Sequence, residues 1–348
     1  MRIERWEPGD EAALRACHEV WRAAKETDDP LGSPKSAHVL GAWLTHGFNG
    51  HPGEVWLVPA DSPGPGAGSG AATPVVAWYR LGLPDRENRE TGLLSVLVHP
   101  DHRRRGLGTE LLRHATQRAQ AHARTRLSGE ARENGAGEAF AAGHRAVRGI
   151  TEVRRVLDVT AIPGGRLRAL RDGATPKAAG YTLVTWTGAT PATYQAPVAA
   201  VHAAMNDAPH NPGFEPWTWD AGRVREMDAR HAEFGFRSYS VAAIRDATGE
   251  AAALTQVFVD PEDPGWAHQG VTAVHGPHRG HRLGLLVKVA MLQWLAEAEP
   301  RIQRIDTGNA GSNRHMIAIN EALGFRVHGP GWVSYDKTIS PERIAAPA

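Results

Sequence analysis

The chain reads Val98-His-Pro-Asp-His-Arg-Arg-Arg-Gly-Leu-Gly108, and 176 residues later it reads Val274-His-Gly-Pro-His-Arg-Gly-His-Arg-Leu-Gly284. The two stretches align without a gap, and six of their positions are identical. Their spacing is close to half of the 348-residue length, and it is as long as an ordinary domain. The sequence therefore predicts two copies of one domain in tandem.

The elements predicted around the two copies follow one order. Each half opens with a short strand (2–6 and 181–186) and a helix (12–25 and 194–205). Strands rich in β-branched and apolar residues then lead into the motif. They are residues 55–58, 75–81 and 93–98 in the first half, and 238–245, 252–259 and 271–274 in the second. We place the domains at 1–170 and 171–348, with the join predicted within 161–179.

Each motif is followed by a stretch with helical periodicity. Apolar residues there step by three and four, which places them on one face of a helix. In the second half they are Leu283, Leu286, Val287, Ala290, Met291, Trp294 and Leu295, and in the first half Leu107, Leu111, Ala115 and Ala119.

Composition limits the classes of partner and site. Lys and Arg (39) nearly balance Asp and Glu (38), so no strong field favours nucleic acid or an anionic membrane, and a small molecule is the expected partner. A single cysteine excludes a disulfide framework within the chain. The N-terminus is charged where a signal peptide needs an apolar core, and no stretch has the ~18 apolar residues of a membrane span. We expect a cytoplasmic monomer or homodimer, with a flexible connector at 61–70.

The order of strand, glycine-containing turn and helix has a chemical use. The first N–H groups of a helix have no partner inside the helix and lie at the positive end of its dipole. They form an anion site, and a glycine lets a phosphate approach the backbone. The motif lacks the lysine of a Walker loop and the glycine spacing of a dinucleotide-binding loop, so it predicts another kind of phosphate-binding loop.

The first loop, Arg103-x-x-Gly106-x-Gly108, resembles the acyl-CoA pyrophosphate loop of the GNAT N-acetyltransferase superfamily. Residues 306–325 resemble the strand, asparagine-rich turn, helix and Leu-Gly-Phe ending with which such domains close. The resemblance implies an α/β (α+β) fold of two tandem GNAT-like domains, each a twisted, mixed and mostly antiparallel sheet flanked by helices. The tandem layout is similar to that of the mycothiol synthases.

The resemblance also implies acetyl transfer from acetyl-CoA to a primary amine of a small molecule. We expect direct attack by the amine, because no cysteine or serine motif indicates an acyl-enzyme. The pantetheine arm would lie where two strands splay, along Val98 and Val274. The residues expected to hold the pyrophosphate are Arg103, Arg104, Arg105, Gly106, Leu107, Gly108 and Thr109 in the first half, and Arg279, Gly280, His281, Arg282, Leu283, Gly284 and Leu285 in the second. Asn309 and Asn313 are further candidates for binding acetyl-CoA, although both could be turn or helix-cap residues only.

The halves depart from the family pattern in different places. In the second loop Arg282 replaces the family's first glycine, and Gly280 is expected to supply part of the lost backbone freedom. The first half keeps the loop but lacks the asparagine-rich turn and the Leu-Gly-Phe ending. A tyrosine that often protonates the departing thiolate is replaced by Ala139 and Asn320. We therefore expect the chemistry in the second half, with donor binding or a scaffold role in the first.

The attacking amine needs a proton acceptor, because an alkylamine of pKa ~10.4 is almost fully protonated near neutral pH. The candidates are His275, Asp306 and Asp207, and spacing singles out none of them. A metal site at His275, His278 and His281 is a weaker alternative, because three-residue steps in a loop do not align imidazoles, so we predict no metal.

A second function stays open alongside the enzyme. The missing tyrosines favour a non-catalytic protein that binds acyl-CoA or senses a ligand, whereas the intact segment 313–325 favours an acetyltransferase. The acceptor-side loops, 26–53 and 205–235, show no charge pattern that specifies an amine.

Overall fold

The computed structural model describes residues 1–47, 50–60 and 74–339, and the predicted connector at 61–70 lies outside the described residues. The first half contains β1 (Glu4–Arg5), α1 (Glu11–Asp28), α2 (Ala37–His46), β2 (Gly53–Pro59), β3 (Val75–Gly82), β4 (Thr91–Val98), α3 (Leu107–Ala121), β5 (Arg126–Arg132), α4 (Ala136–Gly143) and β6 (Val147–Asp158). The second half contains α5 (Arg166–Ala174), β7 (Tyr181–Thr187), α6 (Ala192–Ala203), α7 (Ala221–Glu233), β8 (Arg237–Arg245), β9 (Ala251–Val259), β10 (Trp266–Val274), α8 (Leu283–Ala298), β11 (Arg304–Ala310), α9 (Arg314–Leu323), β12 (Arg326–Val327) and β13 (Trp332–Thr338).

The strands of both halves form one continuous sheet. Their order is β1-β2-β3-β4-β5-β13-β6-β11-β10-β9-β8-β7, and β12 pairs with β6 beside this path. The pairs β4–β5 and β10–β11 are parallel, and the other pairings between described strands are antiparallel. The predicted mixed, mostly antiparallel α/β fold is therefore confirmed.

The two halves exchange strands at the centre of this sheet. β13, the last strand of the chain, lies between β5 and β6 and pairs with both. β6 continues past β13, and its residues 152–158 pair with β11 of the second half. Each half of the sheet is thus completed by a strand from the other. The predicted boundary between 170 and 171 falls within α5, which follows β6 and precedes β13 in the sequence.

Helices cover both faces of the sheet. In β3, Trp78 and Tyr79 point to opposite faces, and each is fully buried. Trp78 packs with Cys17 and Leu40 under α1 and α2, whereas Tyr79 packs with Leu111 of α3. In the second half, α6 and α7 cover one face, and α5, α8 and α9 cover the other. None of the helices in the described ranges is both long enough and apolar enough to cross a membrane.

Candidate active site

In each half, two neighbouring parallel strands separate partway along their length. β4 pairs with β5 as far as Leu93 and Ser128, and then runs on to its end without that partner. β10 pairs with β11 as far as His268 and Asp306, and it also runs on alone. Both halves therefore contain the strand opening that the family resemblance implies. Val98 and Val274 are the last residues of the separating strands.

The loops that follow β4 and β10 share a backbone conformation. Two positions in each have positive φ angles: Arg104 (61°) and Gly106 (83°), and Gly280 (88°) and Arg282 (56°). These positions are equivalent in the repeat, so each loop has one arginine and one glycine, in opposite order. A left-handed conformation costs a non-glycine residue roughly 1–2 kcal/mol. Gly280 does supply backbone freedom, as predicted, and Arg282 is left-handed as well.

Both loops present free backbone amides at the start of a helix. α3 begins at Leu107 after Gly106, and α8 begins at Leu283 after Arg282, and neither N-cap residue caps its helix with a side chain. A Cβ atom added to Gly106 or Gly280 would meet nothing within 4 Å, so the space beside the backbone is open. Unpartnered N–H groups beside open space suit a diphosphate.

The first arginine of each loop is held by the protein itself. Arg103 forms a two-pronged ion pair with Asp28, at 2.8 and 2.6 Å, and donates to the carbonyl of the last residue of β4 at 3.2 Å. Arg279 pairs with Asp207 at 2.5 Å and donates to the last carbonyl of β10 at 3.4 Å. These arginines fix the turns. Asp207, a predicted base, is engaged in an exposed ion pair.

Two further arginines of the loops have no acidic partner among the described residues, so their positive charge is not neutralised by the protein. Arg104 and Arg282 form no ion pair with the residues that the structure describes. Other predicted residues contact their own protein: Arg105 the carbonyl of Asp101 (3.0 Å), Thr109 the ring of His144 (3.2 Å) and His281 the carbonyl of Lys177 (2.9 Å).

Gly108 and Gly284 lie inside the helices and are closely packed. A Cβ atom on Gly108 would lie 3.0 Å from Phe140 of α4, and one on Gly284 would lie 3.2 Å from Ile319 of α9. These two glycines let each helix approach its neighbour, a packing role that the sequence does not distinguish from contact with phosphate. Leu283 and Leu285 are core residues.

The last paired residues at the second opening form a hydrogen-bonded dyad. His268 Nδ1 lies 2.8 Å from Asp306 Oδ1, and the Ser33 hydroxyl donates to Asp306 Oδ2 at 2.9 Å. Because a carboxylate only accepts, Nδ1 carries a proton, and Nε2 of the neutral ring can take one. Sequence analysis selected Asp306 but missed His268, because it predicted β10 to begin at 271.

Both members of the dyad have shifted pKa values. Burial disfavours the charged imidazole, but the Asp306 carboxylate outweighs burial and raises the pKa of His268. Burial also disfavours the carboxylate, but His268 and Ser33 outweigh it and lower the pKa of Asp306. Asp306 therefore stays ionised, and His268 is the member that can exchange a proton near neutral pH.

The histidines of the second loop have different surroundings. The buried Nδ1 of His275 has no hydrogen-bond partner in the described part of the chain, and His275 follows the far end of β10 from the dyad. His278 Nδ1 lies 3.0 Å from the Tyr181 hydroxyl. Among the described residues, no group of three or more His, Cys, Asp or Glu side chains is placed to hold a metal ion.

The asparagines of the second half have structural partners. Asn313 is the N-cap of α9, and its side chain accepts from the Met316 N–H at 3.2 Å. Asn309 Oδ1 accepts from Asn320 Nδ2 at 2.7 Å. Asn309 lies in β11 rather than in a turn. Asn313 therefore does cap its helix, and Asn309 is a strand residue and not a turn residue.

The second opening contains a β-bulge that the first lacks. β10 shifts register against β9 between Gln269 and Thr272, next to His268, whereas β4 pairs with β3 in regular register. A Cβ atom on Gly270 would lie 2.4 Å from the Phe258 ring, so a glycine is needed inside the bulge. A bulge leaves an extra residue without a ladder partner and re-aims its backbone groups.

The loop between α1 and α2 crosses from the first half to the second opening. Its Ser33 contacts Asp306, as described above. Its Asp29 anchors the loop through ion pairs with two buried arginines, Arg132 of β5 and Arg154 of β6, the latter at 3.1 Å. Ser33, a residue of the first half, therefore hydrogen-bonds to the dyad of the second half.

The corresponding loop of the second half, between α6 and α7, crosses the opposite way. Asn211 Oδ1 accepts from the Ile150 N–H at 2.9 Å and from the Ser334 hydroxyl at 3.0 Å. The Glu215 N–H donates to Asn88 Oδ1 at 2.9 Å. The two loops selected from the sequence as acceptor-side loops thus each contact residues of the other half.

Comparisons with known proteins agree with this geometry. Residues 17–140 match the sequence model of the Acetyltransferase (GNAT) family. The structure is similar to a tandem GNAT protein from the clavulanic acid biosynthesis pathway, with 29% identity and a TM-score of 0.78, over 98% of this chain and 99% of that one. A GCN5-related N-acetyltransferase from Sphaerobacter thermophilus shares the fold, with 17% identity and a TM-score of 0.65, over 98% of this chain and 96% of that one. The sequence matches no curated protein.

Proposed function

We propose that this chain, which is similar to a tandem GNAT protein and matches the GNAT family model over residues 17–140, transfers the acetyl group of acetyl-CoA to a primary amine of a small molecule, with the chemistry in the second half. The observation that carries the proposal is a difference between equivalent positions. The pair at the first opening is Leu93 and Ser128, whereas the pair at the second is His268 and Asp306. The second opening alone has a proton acceptor with an orienting carboxylate at that register.

The acyl donor fits the loops in both halves. The uncapped amides that begin α3 and α8 suit its diphosphate, with Arg104 and Arg282 supplying positive charge. The unpaired edges of β4 and β10 suit the amides of the pantetheine arm, because a free strand edge offers N–H and C=O groups. Arg103 and Arg279 shape the turns instead of binding the donor.

The acceptor amine must be deprotonated at the second opening. His268 Nε2 faces away from Asp306 and takes the proton that the nitrogen loses when the C–N bond forms. Asp306 holds the ring in the required tautomer and stabilises its protonated form, and Ser33 fixes the carboxylate. His268 acts as a base in its neutral form, so the rate rises with pH through its raised pKa.

The bulge in β10 supplies the remaining requirement, a donor for the thioester oxygen. Attack on the carbonyl carbon places negative charge on that oxygen, and a preorganised backbone N–H stabilises it. The residues between Gln269 and Thr272 lie beside the dyad, outside the regular ladder, and we assign this role to one of their backbone amides.

A screen of small amines with thiol release as the signal tests the proposal. Wild-type protein is expected to acetylate at least one amine, and His268→Ala is expected to lose that activity while still binding acetyl-CoA in calorimetry. The non-catalytic alternative predicts binding in both proteins and turnover in neither. Absence of acetyl-CoA binding would remove both functions.

A further inference from the structure

A cavity of about 300 Å³ lies in the second half, between α7 and the start of β8. Its walls include the small side chain of Ala189 and the ring of Phe236, and the exposed Ala229 and Ala232 lie at its rim. Asp228 of α7 also lines the cavity, although this residue is only 9% exposed. The cavity therefore combines apolar walls with a buried carboxylate.

Asp228 has no ion-pair partner among the residues that the structure describes. Its Oδ2 accepts the Thr190 N–H at 2.8 Å. Arg225, which also lines the cavity, donates to Gln195 at 3.0 Å. Burial raises the pKa of the Asp228 carboxyl, and the hydrogen bonds from Thr190 lower it by less. Because a buried carboxylate without a cation is unfavourable, a positively charged ligand would stabilise this site.

The cavity lies in register with the dyad. Ser238 in its wall is opposite Phe258 of β9, and Phe258 is opposite His268 of β10, so the three side chains share one face of the sheet. His231 of α7 contacts Phe258 on that face, with ring centres 4.3 Å apart. Two strand spacings separate Ser238 from His268 by ~10 Å. The half-buried rings of Phe236 and Phe258, 5.8 Å apart, form an apolar surface between the cavity and the dyad.

The first half fills the equivalent space with its own cation. The same row across its strands is Gly53, Gly82 and Leu93. The Arg80 side chain lies over the two glycines, because Cβ atoms on Gly82 and Gly53 would lie 2.7 and 3.0 Å from its guanidinium. Arg80 is buried, and it donates to the carbonyl of Leu44 in α2 at 3.1 Å.

The second half has the opposite charge at these positions. The helices α2 and α7 each begin after a residue that caps them with its side chain, and Leu44 and Asp228 both follow that cap by eight residues. Arg80 and Gln256 are likewise equivalent, because each lies two residues before the strand position in the row described above. The second half therefore has a neutral glutamine in place of the arginine and a carboxylate in place of the leucine. A cation in this cavity would have to come from a ligand.

We propose that the cavity binds a second, positively charged group of the acceptor, an inference that rests on the proposed acetyl transfer. The acceptor is an aliphatic diamine. One nitrogen lies at His268 and receives the acetyl group, and the other, as an ammonium, lies in the cavity and pairs with Asp228. The apolar chain between the nitrogens packs on Phe236 and Phe258.

The test compares hexamethylenediamine with hexylamine, which has the same chain but lacks the second nitrogen. The two nitrogens of the extended diamine are roughly 9 Å apart, close to the distance between the cavity wall and the dyad. Calorimetry at neutral pH on the CoA-bound protein is expected to show about tenfold tighter binding of the diamine, because a charge-assisted contact is added. Equal affinities, or binding of neither amine, would overturn the proposal.

Two variants locate the effect. Asp228→Asn keeps an oxygen for the Thr190 N–H and loses the charge, so the preference for the diamine should disappear. Asp246→Asn, the matched control, removes an exposed charge beyond the opposite end of β8 and should keep the preference. A preference that persists in Asp228→Asn would overturn the proposal.

The rim offers a variant that leaves the buried carboxylate in place. Ala229→Leu puts a larger side chain at the rim of the cavity, so we expect about tenfold weaker binding of the diamine with unchanged affinity for acetyl-CoA. Unchanged binding of the diamine would contradict the assignment of the cavity. If the diamine preference is present but no amine is acetylated, the cavity assignment stands and the proposed function fails. If amines are acetylated without the preference, the proposed function stands and the cavity assignment fails.

Discussion

The two halves are most similar in the loop backbone that we propose binds acetyl-CoA, and most different in the side chains that we propose carry the chemistry. Both have a strand opening, two left-handed loop positions, an anchored arginine and uncapped helix amides. At the last paired register of the opening, the first half has Leu93 and Ser128, and the second has His268 and Asp306. A bulge is added in the second half. The proposed donor binding depends mainly on backbone geometry, which both copies keep, whereas the proposed proton transfer needs particular side chains, which differ between them.

The largest expected effect tests this difference directly. His268→Ala removes the proposed base, and we expect turnover to fall by about 10²–10⁴-fold, since general base catalysis contributes that much. Acetyl-CoA affinity should stay unchanged, because His268 lies near the start of β10 and the loop follows the other end of that strand. The matched control is Leu93→Ala at the first opening, which should leave turnover near wild type. If Leu93→Ala were the damaging variant, the roles of the halves would be reversed.

The next effect distinguishes an orienting carboxylate from a base. Asp306→Asn should lower turnover by about 10–100-fold, as is common for groups that orient a functional histidine. The Asp306 carboxylate raises the pKa of His268 against the opposing effects of burial and Lys35. Its removal should therefore shift the rising limb of the pH–rate profile to lower pH. A profile that keeps its midpoint would show that His268 is not the titrating group.

Sequence analysis found the parts of the site that local pattern determines. The repeated motif predicted strand, loop and helix in both halves, and the structure has them. In the second loop the glycine stands at 280 and the arginine at 282, the reverse of the order in the first loop. Sequence analysis predicted that Gly280 compensates for Arg282, because the two residues are only two positions apart. Asn313 as a helix cap was readable for the same local reason.

The features that sequence analysis missed depend on contacts between distant segments. His268 becomes recognisable as a base through the register of β10 with β11, which places Asp306 opposite it. The exchange of β6 and β13 joins segments that lie far apart, and nothing in either strand marks its partner. Ser33 reaches the dyad from the other half of the chain. The signal in the sequence that could have indicated His268 was a histidine close to Gly270 in an apolar strand.

A smaller effect tests whether the clefts are built from both halves. Ser33→Ala removes a hydrogen bond to a charged group, which contributes about 1.5–3 kcal/mol, so turnover at the second opening should fall on the order of tenfold. Asn211→Ala removes the contacts of the α6–α7 loop with β6 and β13 and should leave turnover near wild type. Steady-state kinetics of the two variants gives the comparison, and equal losses would contradict it.

The smallest expected effect concerns the left-handed arginines, and stability measures it. Arg104→Gly and Arg282→Gly each relieve a positive φ angle, of 61° and 56°. Relief of roughly 1–2 kcal/mol, less the greater unfolded-state entropy of glycine, leaves a gain of about 0.5–1 kcal/mol in the free energy of unfolding. Each variant should also weaken CoA binding at its own half, because it loses a charge beside the diphosphate. Denaturant titration measures the gain, and calorimetry measures the binding. A lower free energy of unfolding in either variant would contradict the claim that these arginines are strained. Equal gains in stability, with weaker CoA binding in each half, would show that each loop keeps one arginine for the donor at the same cost in stability.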